Sequence, residues 1–395
     1  MHTNLHKETV AVLFGGRSAE HEVSVITGHQ VMDALEAAGY RLLPIYIGKM
    51  GAWYAGQPLH NIKLYTDSAL NPDKLQDVYR VSLSPDRTVR RLLPHPDRRR
   101  RLFQRVPCLW ADVFFPTMHG NFGEDGALQG LFEMADVAYV GSGILASAVG
   151  MDKVRMKALC RDADIPVLDC VSIARAEWQR DSDAFVTRVE AFSDYPLMVK
   201  PVCLGSSIGV RRCDNATELR DAIDVAVVLD DRILVEPALT DFFEVNCAVL
   251  GPPVQASVCE QPHRSETVLS FDAKYKQGRK GAKGSGRKGG MASLGRTVPA
   301  PISEALTSHV QELAVKAFQG IGAAGVARTD FLLKGEKVYF NEINTLPGSL
   351  AFYLWEANGV AFDELVSRAV DIALAQYQIR SATQFAFDAN LLQSG

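Results

Sequence analysis

The opening fifty residues constrain the fold most. Thr9 to Phe14 is a short apolar run of the kind that forms a buried parallel strand, and Gly15-Gly16 breaks it. Val23, Ile26, Val31 and Leu35 then recur at helical spacing up to Ala38, Gly39 closes the helix, and "YRLLPIYIG" supplies the next strand. A strand, a glycine break, a helix and another strand build an open α/β sheet.

The pattern persists along the chain. "CLWADVFFP" leads into "TMHGNFGEDGALQG", a strand entering a Gly-rich polar loop and then a helix, where α/β sheets place ligands. A second unit begins near Gly141: "GSGILASAVGMDKVRMKALCRDADIP" reads as helical after its glycines, "YPLMVKPVCLGSSIGVRRC" as strand, Gly/Ser loop, strand, and "DRILVEPAL" as an apolar strand ending in a carboxylate. A third unit carries "FFEVNCAVLG", a Gly/Lys-rich segment, a helix around 303–320 and a closing hairpin, "VARTDFLLKGEKVYFNEINTLPG". With 395 residues and 47% hydrophobic content, the chain buries enough surface for two or three domains.

Composition decides how the most conspicuous stretch, "KYKQGRKGAKGSGRKGGM" at 274–291, is read. The chain has 42 Lys+Arg against 46 Asp+Glu, whereas a duplex binder carries a basic excess to neutralise phosphates. Its basic character is local, and no nucleic-acid partner is expected. Six glycines and five Lys/Arg among residues 278–290 make a permissive segment with affinity for phosphate. Freezing all of it would cost roughly 1–2 kcal/mol per residue in backbone entropy. Only its edge, Lys274 and Tyr275, is therefore expected to be held tightly. The run Arg98 to Arg101 reads as a solvated surface stretch, since its flanks lack interleaved aromatics for base stacking.

Seven cysteines with no C-x-x-C spacing give neither a zinc nor a disulfide framework, and reduced cytosolic thiols are the simplest reading. No stretch approaches the roughly 20 apolar residues needed to span a bilayer, so no membrane partner is expected. A cytoplasmic location follows.

The closing hairpin is the most informative stretch. Glu342 and Asn344 lie two apart on the returning strand and so share a face, with Phe340 and Ile343 marking the buried side. Gly335 marks the turn, and antiparallel pairing brings Asp330 close to them. Two carboxylates and an amide suit magnesium, which shares its remaining positions with water and nucleotide phosphate; strand-end residues facing solvent are the competing reading. "GSSIG" at 205–209 follows the strand "LMVKP", so that small residues, the Ser206 and Ser207 hydroxyls and Lys200 can approach phosphate oxygens, or simply form a hairpin turn. "GSGRKG" at 284–289 fits G-x-G-x-x-G but follows no apolar strand, and no P-loop pattern occurs. If ATP binds, another architecture holds it.

"HGNFGEDGALQG" and "ARTDFLLKGEKVYFNEINTLPG", with "GGRSAEHEVS", "MDKVRMK" and "VKPVCLGSSIG", resemble the D-alanine:D-alanine ligase family of ATP-grasp enzymes, in the same order over nearly the full chain. The resemblance implies an α/β ATP-grasp fold of three domains. These are an N-terminal open parallel-sheet substrate domain at 1–141, a central ATP-grasp subdomain at 142–236, and a C-terminal one at 237–395 whose Gly/Lys-rich lid spans about 265–295. It also implies ATP-dependent joining of two D-alanines through an acyl phosphate, for peptidoglycan precursor synthesis, and a homodimer. D-serine or another amine as second substrate is the alternative.

By the same resemblance, Lys153, Lys200, Ser206, Ser207 and Lys274 would contact ATP, Glu236 would sit beside adenine, and Glu244 would hold the ribose. Asp330, Glu342 and Asn344 would bind two Mg2+, or Mn2+ in their place. Glu20 would hold the first substrate's ammonium with His119 near its carboxylate, and Ser206 and Tyr275 would link to Glu20 in a hydrogen-bonded triad. Arg328 and the Gly348 N–H would stabilise the oxyanion. Two departures stand out. "LSFDAKY" replaces the family's aromatic-rich approach to the lid, and "SLAFYLWE" after "LPG" leaves open whether Tyr353 or Ser349 meets the second substrate's carboxylate. Tyr275, where ligases using a hydroxy acid generally carry histidine, favours an amine nucleophile.

Overall fold

The computed structural model describes residues 8–66, 70–89, 91–95, 108–263 and 295–386. The arginine run at 98–101 and the Gly/Lys-rich segment with Lys274 and Tyr275 lie outside these residues.

The first sheet contains β1 (Thr9–Gly15), β2 (Arg41–Ile47), β3 (Trp53–Ala55), β4 (Tyr79–Leu83), β5 (Leu92–Pro94), β6 (Val113–Pro116) and β7 (Ala138–Tyr139), in the order β5-β4-β3-β2-β1-β6-β7. The expected parallel sheet is its β2-β1-β6-β7 part. Strands β3, β4 and β5 extend it with antiparallel pairing, which makes the whole sheet mixed. The described residues that connect β2, β3, β4 and β5 hold no helix beyond short 3-10 turns, and parallel neighbours need a longer crossover.

Helix α1 (His21–Ala37) lies on this sheet and sets Val31, Met32 and Leu35 against Val10, Val12 and Phe14. Helix α2 (Ala127–Met134) follows the Gly-rich loop and packs Leu128 and Phe132 on the other face. The segment read as one helix after Gly141 divides into α3 (Ile144–Met151) and α4 (Lys153–Asp162). Asp152 stands at the break, where its Oδ1 accepts from the N–H groups of Val154 and Arg155 at 3.1 and 3.0 Å. This capping starts a new helix and puts Lys153 at its first position.

The second sheet is antiparallel, with the order β10-β9-β11-β8 built from β8 (Val171–Ala174), β9 (Leu197–Pro201), β10 (Arg211–Cys213) and β11 (Arg232–Pro237). Helices α5 (Arg175–Arg180), α6 (Ser182–Phe192) and α7 (Ala216–Leu229) cover one face through Trp178, Phe185, Val189, Leu219 and Ile223.

The third sheet runs β14-β13-β12-β15-β16, from β12 (Phe243–Gly251), β13 (Gln255–Pro262), β14 (Arg296–Thr297), β15 (Gly325–Lys334) and β16 (Lys337–Asn344). Helix α8 (Glu304–Gly320) buries Val310, Leu313 and Phe318 against it. Gly335 turns the β15–β16 hairpin at φ +60°, a left-handed conformation that favours glycine. A tight turn, Gly348–Ala351, leads into α9 (Phe352–Ala357) and α10 (Phe362–Ser381). Leu365, Val366, Ala369 and Val370 of α10 join the core beneath α1, so the end of the described chain packs on its first sheet.

Candidate active site

The hairpin builds the acidic wall of the site. Asp330 pairs directly with Glu342, and Arg328 with Asn344. On the other side of β15, Asp330 faces Asn246, which in turn faces Glu260. Directly opposed residues share a face, so Glu260, Asn246, Asp330 and Glu342 form one polar row across four strands. A bulge beside Asp330 leaves Asn341 as the extra residue of β16. Strict alternation could not bury both Phe340 and Ile343, three residues apart. The bulge does, and it also lets the adjacent Asn341 and Glu342 line the same cleft.

Arg328 donates from Nε and Nη2 to the two oxygens of Asp330, each at 2.7 Å, and Asn344 Nδ2 lies 3.3 Å from Asp330 Oδ2. Burial, against the pull of Arg328 and with Glu244 and Glu342 close by, raises the Asp330 carboxyl to about 6. Asn246 donates from Nδ2 to Glu260 Oε1 at 3.2 Å, while its buried Oδ1 meets no donor among the described residues. Crowded carboxylates and an unpartnered amide oxygen fit a hard divalent cation. Among the described residues no group of three or more His, Cys, Asp or Glu gathers for a metal. Asp330 and Glu342 stand here as two carboxylates with the amides of Asn246 and Asn344 beside them.

Lysines from α4 and the second sheet face that wall. Lys153 Nζ donates to the Leu204 carbonyl at 2.7 Å and lies 3.6 Å from Glu342 Oε2. Lys200 Nζ sits 2.6 Å from Glu236 Oε1 and donates to Asn341 Oδ1 at 3.0 Å. Lys157, one turn beyond Lys153, is buried 2.7 Å from Glu236 Oε2. Although burial alone would raise the Glu236 carboxyl, the two ammonium groups hold it down at about 2. Ser206 and Ser207 adopt left-handed φ of 54° and 58°, which reverses the chain in the Gly/Ser loop.

That reversal lets the Ser206 hydroxyl donate to Glu20 Oε1. Glu20 stands at the N-terminal cap position of α1. An added Cβ at Gly120, whose φ is +73°, would lie only 2.9 Å from Glu20 Oε2, so the glycine admits the carboxylate. His119 is buried, its Nδ1 3.0 Å from the Leu346 carbonyl and its Nε2 3.0 Å from Thr27 Oγ1. Burial outweighs the nearby Glu20 carboxylate and keeps the imidazole below its usual basicity. Glu124 is half-buried. Its oxygens accept from the N–H groups of Gly120 and Leu346 at 2.7 and 3.1 Å, and burial together with Glu20 lifts its carboxyl to about 8.

Two cavities result. One is bordered by Glu20, His119, Ser206 and Gly348, the other by Lys200, Ser207, Glu236, Glu244 and Asp330. They share Lys153, Leu204, Arg328 and Glu342. The described site residues named from sequence thus gather around two adjoining chambers, while Lys274 and Tyr275 lie outside the described residues. Tyr353 does not open onto either. Its hydroxyl donates to Glu260 at 3.0 Å, and the Arg296 guanidinium stacks 3.8 Å from its ring centre. Ser349 is buried, with its N–H donated to Thr27 Oγ1 at 3.1 Å.

Sequence reasoning missed Glu124, Thr27, Lys157, Asn246 and Asn341. Lys157 carried a signal, since it lies four residues after Lys153 and so on the same helical face. The others depend on partners far along the chain.

Basic groups of one sheet set over the acidic face of another, with a Gly/Ser loop between, define an α/β protein of the ATP-grasp class. Family models described as the D-ala D-ala ligase N-terminus and C-terminus match residues 9–142 and 159–371. A D-alanine–D-alanine ligase of Heliobacterium modesticaldum is 40% identical, covering 96% of this chain and 98% of its own, and one from Chloroherpeton thalassium is 36% identical, covering 95% and 99%. Among solved structures, the D-alanine-D-alanine ligase from Coxiella burnetii superposes with a TM-score of 0.76 at 28% identity, covering 95% of this chain and 96% of that one. The VanG D-Ala:D-Ser ligase from Enterococcus faecalis gives 0.75 at 28%, covering 93% and 100%. The chain belongs to the D-alanine–D-alanine ligase family.

Proposed function

We propose that this chain uses ATP to join two D-alanines into D-alanyl-D-alanine, a peptidoglycan precursor, through an acyl phosphate. The observation that carries the reading is the meeting of the two cavities at Lys153, Arg328 and Glu342. A phosphoryl group leaving one chamber would there meet a carboxylate held in the other, the positioning such a transfer needs.

In this reading Lys153, Lys200, Ser206, Ser207 and, from the lid, Lys274 bind the phosphates, Glu236 borders adenine, and Glu244 takes the ribose hydroxyls. Glu20 receives the first substrate's ammonium and His119 borders its carboxylate. Ser206 and Tyr275 hold Glu20 in place. Asp330, Glu342 and Asn344 would hold two Mg2+ ions, or Mn2+ in their place, which when bound neutralise phosphate charge during transfer. The carboxylate oxygen attacks the γ-phosphorus and ADP departs. The second D-alanine's amine then attacks the carbonyl carbon and loses a proton, and the tetrahedral intermediate expels phosphate. Arg328 has two nitrogens committed to Asp330, which leaves Nη1 for the developing oxyanion beside the Gly348 N–H.

The domains we assign run 1–141, 142–236 and 237–395, in a cytoplasmic homodimer. Among the described residues no helix is long and apolar enough to cross a membrane. Phosphate release from ATP and magnesium with single D- and L-amino acids tests the reading. D-alanine alone should support it, while release with L-amino acids only, or with none, would overturn it; a D-serine arm reports the second-substrate preference.

A further inference from the structure

The loop that carries Gly348 is held at both ends by one hydrogen-bonded chain. The Leu346 carbonyl can only accept, so His119 Nδ1, 3.0 Å away, carries its proton there. Nε2 of the neutral ring then has a lone pair and must accept. Its neighbour at 3.0 Å is the hydroxyl of Thr27, which also accepts from the Ser349 N–H at 3.1 Å. The chain therefore runs in one direction, from Ser349 N–H through Thr27 O–H to His119 Nε2, and from His119 Nδ1–H to the Leu346 carbonyl. It begins and ends on either side of Pro347 and Gly348.

Thr27 is 1% exposed, and it lies seven residues after Glu20 along the same helix. Seven residues are close to two turns, so both project from one face of α1. From the clamped Ser349 onward, Ser349, Leu350 and Ala351 all take left-handed φ, between 48° and 53°, which non-glycine residues hold only when their surroundings fix them.

We infer that Thr27 is a positioning residue for the ligation: its hydroxyl holds the Nε2 edge of His119, whose tautomer the Leu346 carbonyl sets, and together with the Ser349 N–H it fixes the orientation of the Gly348 amide toward the reacting carbonyl. The inference rests on the role proposed above for Gly348. Helix α1 thereby acts as a rigid spacer between the ammonium anchor at Glu20 and the oxyanion donor.

The test compares Thr27→Val, nearly isosteric but without the hydroxyl, with Thr27→Ser. Valine should lower kcat for dipeptide formation by about 10- to 100-fold, the scale of a small misplacement at a reacting centre, with KM for ATP unchanged. Serine should restore most of it. In 15N spectra of the wild-type protein, His119 should show the Nδ1–H tautomer with its unprotonated Nε2 at the shift of a hydrogen-bonded acceptor, and that Nε2 shift should survive serine but not valine. Wild-type kcat in Thr27→Val, equal loss in both variants, or an Nε2–H tautomer in the wild type would each overturn the inference. Should the valine variant not fold, the serine variant and the wild-type spectrum still decide it. A wild-type protein without D-alanine-dependent phosphate release would instead sink the proposed function, and the tautomer would still be read.

Discussion

Asp330 and Glu342 face each other directly across the β15–β16 pair, and Arg328 grips both oxygens of Asp330 from the same face. The Asp330 carboxyl stands at about 6 despite that grip, because burial and the neighbouring Glu244 and Glu342 oppose its ionisation. A divalent cation at this point would relieve the crowding. Asp330→Asn should therefore raise the Mg2+ concentration required for activity by at least about 10-fold, the lower end of the cost of disturbing groups around a bound metal. Mn2+ titration followed by electron paramagnetic resonance, with ATP present, reads the same loss without turnover. Unchanged binding would remove Asp330 from the metal site.

Arg328→Lys keeps the charge and loses the two-pronged geometry on Asp330. If Nη1 serves the oxyanion, kcat should drop by about 10²- to 10³-fold, the usual effect of losing one such donor. Steady-state kinetics should show KM for ATP little changed. A loss confined to KM would place Arg328 in binding alone.

Ser206 reaches Glu20 across 186 residues of sequence. A hydrogen bond to a charged group contributes about 1.5–3 kcal/mol, so Ser206→Ala should weaken binding of the first D-alanine by about 10-fold or more. Calorimetric titration with D-alanine checks it, and wild-type affinity in the variant would contradict it.

Glu236 lies between Lys157 and Lys200, and it titrates near 2 rather than the ordinary 4.5. The unfolded carboxyl takes up its proton first as pH falls. The stability Glu236 confers is therefore complete above about 4.5 and is lost as pH drops toward about 2. Glu236→Gln should cost about 3–5 kcal/mol at neutral pH, because it leaves two buried ammonium groups without their partner. It should also flatten the acid part of the stability profile. Urea denaturation midpoints across pH test both, and parallel profiles for the two proteins would contradict the assignment.

The sequence made the β15–β16 hairpin readable because period-2 alternation places Glu342 and Asn344 together and Gly335 marks the turn. It could not show the bulge at Asn341, which depends on the register with β15. The parallel strands of the first sheet were legible from apolar runs and a glycine break. The antiparallel extension was not, since β3 and β5 are three residues each and too short to show a period. Glu124 lies inside a motif already singled out, yet its partner Leu346 is 222 residues away. Thr27 reads as one more small residue on a buried helix until Ser349, 322 residues on, is seen to donate to it.

The most direct test of the two-chamber account follows an oxygen atom. D-Alanine labelled with 18O in its carboxylate is incubated with the protein, ATP and Mg2+, and the inorganic phosphate is examined by mass spectrometry. An acyl phosphate formed where Lys153, Arg328 and Glu342 border both cavities requires one 18O in phosphate for each D-alanyl-D-alanine made. Dipeptide formed with unlabelled phosphate would contradict it.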